Sequence, residues 1–108
     1  MLENFNGQAY RLANNWFEHL PLGEYQNKPI KYCEIGTFYG ANLISVSKTY
    51  CSHPESKMYC IDPWEEYADY PEYKGMYNSI YENFMSNILK NGMMGKVTIH
   101  RGFSNKEM

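Results

Sequence analysis

The sequence predicts an α/β domain built on a parallel sheet. Three short β-favouring runs, at 30–35, 57–62 and 96–100, alternate with segments whose apolar residues recur at helical spacing. Each run stops abruptly, at Gly36, at Asp62 and at Arg101-Gly102. Alternating strands and helices imply parallel strands joined by right-handed crossovers. The expected order is α-β-α-β-α-β.

Bulk properties narrow the class. A chain of 108 residues holds one domain. The formal net charge of −2 argues against a nucleic-acid-binding surface. No apolar run approaches the roughly 18 residues that a membrane-spanning helix needs, so no membrane partner is expected. Glu3, Asn4, Asn6, Arg11, Asn14 and Asn15 do not read as a signal peptide. The three cysteines are odd in number and form no C-x-x-C pair, which fits a reducing, cytoplasmic compartment without a disulfide framework. Cys33 and Cys60 fall in expected strands, where a free cysteine packs as a small hydrophobe.

The first helix is expected over 4–20, where Phe5, Ala9, Leu12, Trp16 and Leu20 make one apolar face. Asn4 or Asn6 would cap it, and Pro21 and Gly23 would end it. A polar loop follows, and 30–35 reads as a buried strand. Gly40 opens a second helix reaching Tyr50, with Ala41, Leu43, Ile44 and Val46 available for burial. A turn broken by Pro54 leads into 57–62, an apolar run that closes on a carboxylate. The stretch 64–73 carries aromatics at 64, 67, 70 and 73, and reads either as cover for the sheet edge or as a mobile cover over a ligand. The helix at 76–91 has a broad apolar face of Tyr77, Ile80, Tyr81, Phe84, Met85, Ile88 and Leu89, and Gly92 suits its end. Three strands are few for a parallel sheet, which needs both faces covered. The chain therefore reads as a single incomplete domain over 1–108, with an N-terminal helix and loop at 1–29 and an α/β core at 30–108. Further chain, or a second copy, would complete the sheet.

The loops at 36–40, 62–64 and 101–104 each follow a strand, so all three belong to one edge of the sheet. In open α/β sheets that edge is where ligands bind. Glycines let a ligand approach the backbone, and the first N–H groups of a helix are free to donate. Asp62 is placed to accept hydrogen bonds from vicinal ribose hydroxyls, or else serves as a turn former or helix cap. The glycine spacing selects among cofactors. A dinucleotide fingerprint needs glycine where Phe38 stands, and a phosphate-binding loop needs a longer spacing followed by Lys and Ser or Thr, where Ala41 and Asn42 stand.

The run Glu34-Ile35-Gly36-Thr37-Phe38-Tyr39-Gly40-Ala41-Asn42 resembles motif I of class I S-adenosylmethionine-dependent methyltransferases, in the form found in small-molecule O-methyltransferase-like members. Cys60-Ile61-Asp62-Pro63-Trp64 resembles their acidic second-strand motif, and the stretch from Tyr81 to Ser104 resembles the following helix and third strand. The likeness covers about residues 30–104. It implies the N-terminal half of a Rossmann-like three-layer fold, S-adenosylmethionine as cofactor, and methyl transfer to a small-molecule acceptor, as O-methylation. It further implies that Glu34, Gly36, Thr37, Phe38, Tyr39 and Gly40 face the methionine part of the cofactor. Asp62 would hold the ribose, Pro63 and Trp64 would flank the adenine, and Gly102, Phe103 and Ser104 would lie near the adenine edge. The family often has an acid where Phe103 stands. No catalytic base and no metal ligand is assigned. Two other readings stay open: an NAD(P)-binding oxidoreductase half-domain, against which Phe38 counts, and a non-catalytic truncated or interaction module.

Overall fold

Alternation along the strands decides where the core sits. In the computed structural model, which describes Phe5, Gly7 and residues 12–64 and 75–102, strands β1 (Lys31–Ile35), β2 (Lys57–Asp62) and β3 (Val97–Arg101) form a parallel sheet in the order β1-β2-β3. Helix α1 (Ala41–Ser47) lies between β1 and β2 in the chain, and α2 (Tyr77–Lys90) between β2 and β3. The architecture is α/β with an open parallel sheet, and the strand ends fall within one residue of those expected. Among the described residues no helix is long and apolar enough to cross a membrane.

Register places Tyr32 beside Met58 and Glu34 beside Cys60, then Met58 beside Val97 and Cys60 beside Ile99. These side chains share one face of the sheet. Leu43, Ile44 and Val46 of α1 and Ile80, Phe84 and Ile88 of α2 pack into the same core and are wholly buried. Each such side chain contributes about 1.5–3 kcal/mol by leaving water. The opposite face carries Cys33, Ile35, Tyr59, Ile61, Thr98 and His100. There Cys33 is exposed and Ile35 is 55% exposed.

Strand β1 is therefore half-buried rather than buried, and Cys33 does not pack as a small hydrophobe, whereas Cys60 does. The polarity of β1 is inverted: Glu34 points to the core side while Cys33 and Ile35 point away. Glu34 tolerates this because the Tyr32 hydroxyl and the Asn42 amide donate to it there. A one-residue slip would reverse every side chain and strand those donors.

The helix expected over 4–20 is not what residues 12–20 form. They hold a single 3-10 turn, Ala13–Trp16, and a second short turn follows at Leu22–Glu24; the other residues of that stretch, Phe5 and Gly7 apart, lie outside those described. Leu12 is extended, and the Ala13 N–H, instead of joining a helical ladder, donates to Ser45 Oγ of α1 at 2.9 Å. Asn14 and Asn15 are weak helix formers, so the tertiary bond prevails. The segment is fastened by Tyr50, whose ring meets Trp16, Phe17 and Tyr25 and whose hydroxyl donates to the Leu20 carbonyl at 2.6 Å.

Helix α2 ends as its sequence suggested. Gly92 adopts φ +67, its N–H donates to the Leu89 carbonyl, and the Met93 N–H reaches back to the Ile88 carbonyl at 3.1 Å. This paired closure needs a left-handed residue after the helix, and buried Met93 adds the apolar contact that accompanies it.

Candidate functional site

The 36–40 loop leaves the carboxyl end of β1 through three left-handed residues, Gly36 at φ +80, Phe38 at φ +59 and Gly40 at φ +91. The Gly36 N–H continues the strand ladder to the Ile61 carbonyl, and the Gly40 N–H closes a turn on the Thr37 carbonyl, both at 2.9 Å. Gly40 is needed for space as well as conformation, because a methyl group there would stand 2.9 Å from the Phe84 ring. A methyl group on Gly36 would meet nothing within 4 Å.

Asp62, at the end of β2, holds the loop. Its Oδ2 accepts the Phe38 N–H and its Oδ1 the Trp64 N–H, each at 2.8 Å. Trp64 Nε1 in turn donates to the Phe38 carbonyl at 2.7 Å. The Phe38 peptide is thus gripped at both ends, which offsets the roughly 1–2 kcal/mol that a left-handed conformation costs a residue with a side chain. Asn87 of α2 donates to the Tyr39 carbonyl at 3.1 Å, and the Gly102 N–H donates to the Asp62 carbonyl at 3.1 Å.

The structure brings together Glu34, Gly36, Thr37, Phe38, Tyr39, Gly40, Asp62, Pro63, Trp64 and Gly102; Phe103, Ser104 and residues 65–74 lie outside those described. Trp64 has surroundings that the sequence did not suggest, and Asp62 takes up the turn-forming role that was its alternative reading. Trp64 is 1% exposed, its ring packed on Phe84 and Tyr81 at centroid distances of 4.7 and 5.0 Å, so it faces the core rather than a ligand. Asp62 is 6% exposed and already serves backbone N–H groups. Pro63 is also buried, and its carbonyl accepts Arg101 Nε at 3.4 Å. The Arg101 guanidinium lies over the Tyr81 ring at 4.1 Å and places positive charge at the end of β3.

Burial raises the pKa of both acids in the site. For Asp62 the N–H groups of Phe38, Trp64 and Thr37 oppose that rise; for Glu34 the Asn42 amide and the Tyr32 hydroxyl do. Burial also pushes the Cys60 thiol up to about 12. Thr37 Oγ1 lies beside both Glu34 and Cys60 and, like Glu34 Oε2, is buried without a hydrogen-bond partner. Among the described residues no cluster of His, Cys, Asp and Glu is arranged to hold a metal ion.

Tyr32, Asn42 and Asn87 are structural members of the site that sequence reasoning missed. Asn87 had a signal: it lies on the stripe of Ile80, Phe84 and Ile88, where an amide is out of place unless it has a partner.

No family model and no curated protein matches this sequence. Among solved structures, the chain is similar to a Nostoc punctiforme protein named for an inferred O-methyltransferase activity, at 18% identity and a TM-score of 0.46. The alignment covers 70% of this chain and 18% of that one, so the chain matches less than a fifth of that protein's length.

Proposed function

We propose that the chain is the cofactor-binding portion of an S-adenosylmethionine-dependent methyltransferase whose acceptor is a small molecule methylated on a hydroxyl oxygen. The observation that carries this reading is Gly36: it ends β1 at φ +80 with open space where a side chain would be, beside the carboxylate that ends β2. That geometry suits close approach of a ligand to backbone at a strand's carboxyl end. Phe38, standing where a pyrophosphate needs glycine, supports this cofactor class over a dinucleotide.

When bound, the cofactor supplies an electrophilic methyl group on sulfur. The chain's own residues hold and orient it: Glu34 and the 36–40 loop at the methionine part, and Gly102, Phe103 and Ser104 at the base. The Asp62 carboxylate keeps accepting capacity beyond its backbone bonds, and this is what ribose hydroxyls would meet. With Trp64 in the core, the flat face of the base falls to Phe103. Further chain, or a second copy, would complete the sheet. Positioning of the acceptor in line with the methyl group then supplies much of the rate.

The test is calorimetric titration with S-adenosylhomocysteine, with NAD as control and Gly36→Asn as variant. Asparagine tolerates the left-handed region, so the variant adds bulk to the open approach while keeping the backbone. We expect S-adenosylhomocysteine to bind the parent, NAD not to bind, and the variant to melt like the parent but bind nothing. A folded parent that prefers NAD, or binds neither, overturns the reading. Asp62→Ala is a poor control, because it unseats the loop.

A further inference from the structure

Glu34 is left half-satisfied by the fold around it. Its Oε1 accepts from the Tyr32 hydroxyl at 2.9 Å and from Asn42 Nδ2 at 2.7 Å. Its Oε2 is equally out of water and has no partner. Thr37 Oγ1 is in the same condition. Glu34 is 9% exposed and Thr37 4%. Among the described residues, the groups facing Glu34 are Tyr32 from β1, Asn42 from α1, Thr37 from the loop, and Asp62 and Cys60 from β2. None of these is a cation, and Asp62 is itself an acid.

An ionised carboxylate needs donors at both oxygens, and buried without a cation it is costly. A carboxylic acid has a different requirement. Its carbonyl oxygen takes the donors, and its hydroxyl needs one acceptor. Two donors on Oε1, none on Oε2 and an unpartnered hydroxyl oxygen nearby make the pattern of the acid. We propose that Glu34 is a neutral carboxylic acid whose Oε2–H is donated to Thr37 Oγ1, so that a buried proton seats the 36–40 loop on β1. Burial, the largest influence on Glu34, raises its pKa, and the nearby Asp62 does so weakly, against the hydrogen bonds of Asn42, Tyr32 and Thr37, which lower it. The proposal concerns the chain without ligand and stands apart from the cofactor assigned above.

The sign of the pH dependence follows. In the unfolded chain Glu34 titrates near the ordinary glutamate value of about 4.3. In the folded chain it titrates higher, so between the two values the folded state holds one more proton. Stability therefore falls as pH rises through that window, by up to tenfold in the folding constant per pH unit, and levels off above the folded value. Asp62, also raised by burial, contributes in the same direction and must be separated.

Glu34→Gln separates it. The amide oxygen keeps the Tyr32 and Asn42 donors, and the amide N–H replaces the proton toward Thr37. We expect parent and variant to have similar stability near pH 4, the variant to become progressively the more stable as pH rises, and the variant to retain only the slope due to Asp62. A constant difference, or a variant that loses ground with rising pH, overturns the proposal. The side-chain carboxyl carbon of Glu34, followed by 13C NMR in the parent, gives a readout that does not need the variant to fold. A titration midpoint above the ordinary glutamate value of about 4.3 is expected, and a midpoint at or below that value overturns the assignment.

Discussion

Gly36 and Gly40 share one loop and a positive φ, yet a methyl group would meet different surroundings at the two. At Gly36 it would add only the backbone penalty, so Gly36→Ala should cost about 1–2 kcal/mol. At Gly40 it would also press on the Phe84 ring at 2.9 Å, so Gly40→Ala should cost a further 1–3 kcal/mol or so. Urea unfolding of the two variants side by side checks the order; equal losses would mean that Phe84 yields freely. The positions of both glycines were legible in the sequence, because turns announce themselves through the residues they require. The turn-forming bond from Asp62 to the Trp64 N–H was legible too, but the grip of Asp62 and Trp64 on the 36–40 loop was not. The Asp62 carboxylate binds a backbone N–H 24 residues away in the chain, and the Trp64 indole bonds a carbonyl 26 residues away. Neither pairing leaves a mark on local composition.

At the scale of elements, legibility followed periodicity. Helix α2 was readable because its stripe is long and Gly92 closes it. Within it, Leu89 sits at the margin of the stripe and is 68% exposed, whereas Asn87 is wholly buried. Leu89→Lys should therefore change stability by no more than about 0.5 kcal/mol. Asn87→Ala, which leaves the Tyr39 carbonyl without this donor, should cost about 1–3 kcal/mol. Guanidinium titration of both variants checks this, and the reverse order would remove Asn87 as a brace between α2 and the loop. Residues 12–20 were misread because apolar residues at steps of three and four also suit tight turns packed on an aromatic. Here Tyr50 is that aromatic, and nothing near residue 16 in the sequence points to it. Strand β1 was misread in a related way. Its most deeply buried residue is the acid Glu34, and what makes this tolerable is Asn42 in the next element.

Among the described residues the main core lies on one side of the sheet, and the three cysteines report on it. Cys33 is exposed on the opposite face, while Cys51 and Cys60 are wholly buried, both thiols pushed up by desolvation. A thiol reagent should modify Cys33 at once and reach Cys51 and Cys60 only when the core opens. If the core is one cooperative unit, the last two should react at a common opening rate across denaturant concentrations; separate rates would divide it. The strand order also bears on how the chain acquires its fold. Each strand pairs with the next one made: Lys31 meets Lys57, then Met58 meets Val97, across separations of 26 and 39 residues. No pairing is a hairpin, so each must close a long loop before it gains contacts, which favours slow folding. No strand, however, has to be threaded between two already paired. The sheet can grow outward from β1 in the order in which a ribosome delivers it, β2 docking with α1 before β3 exists.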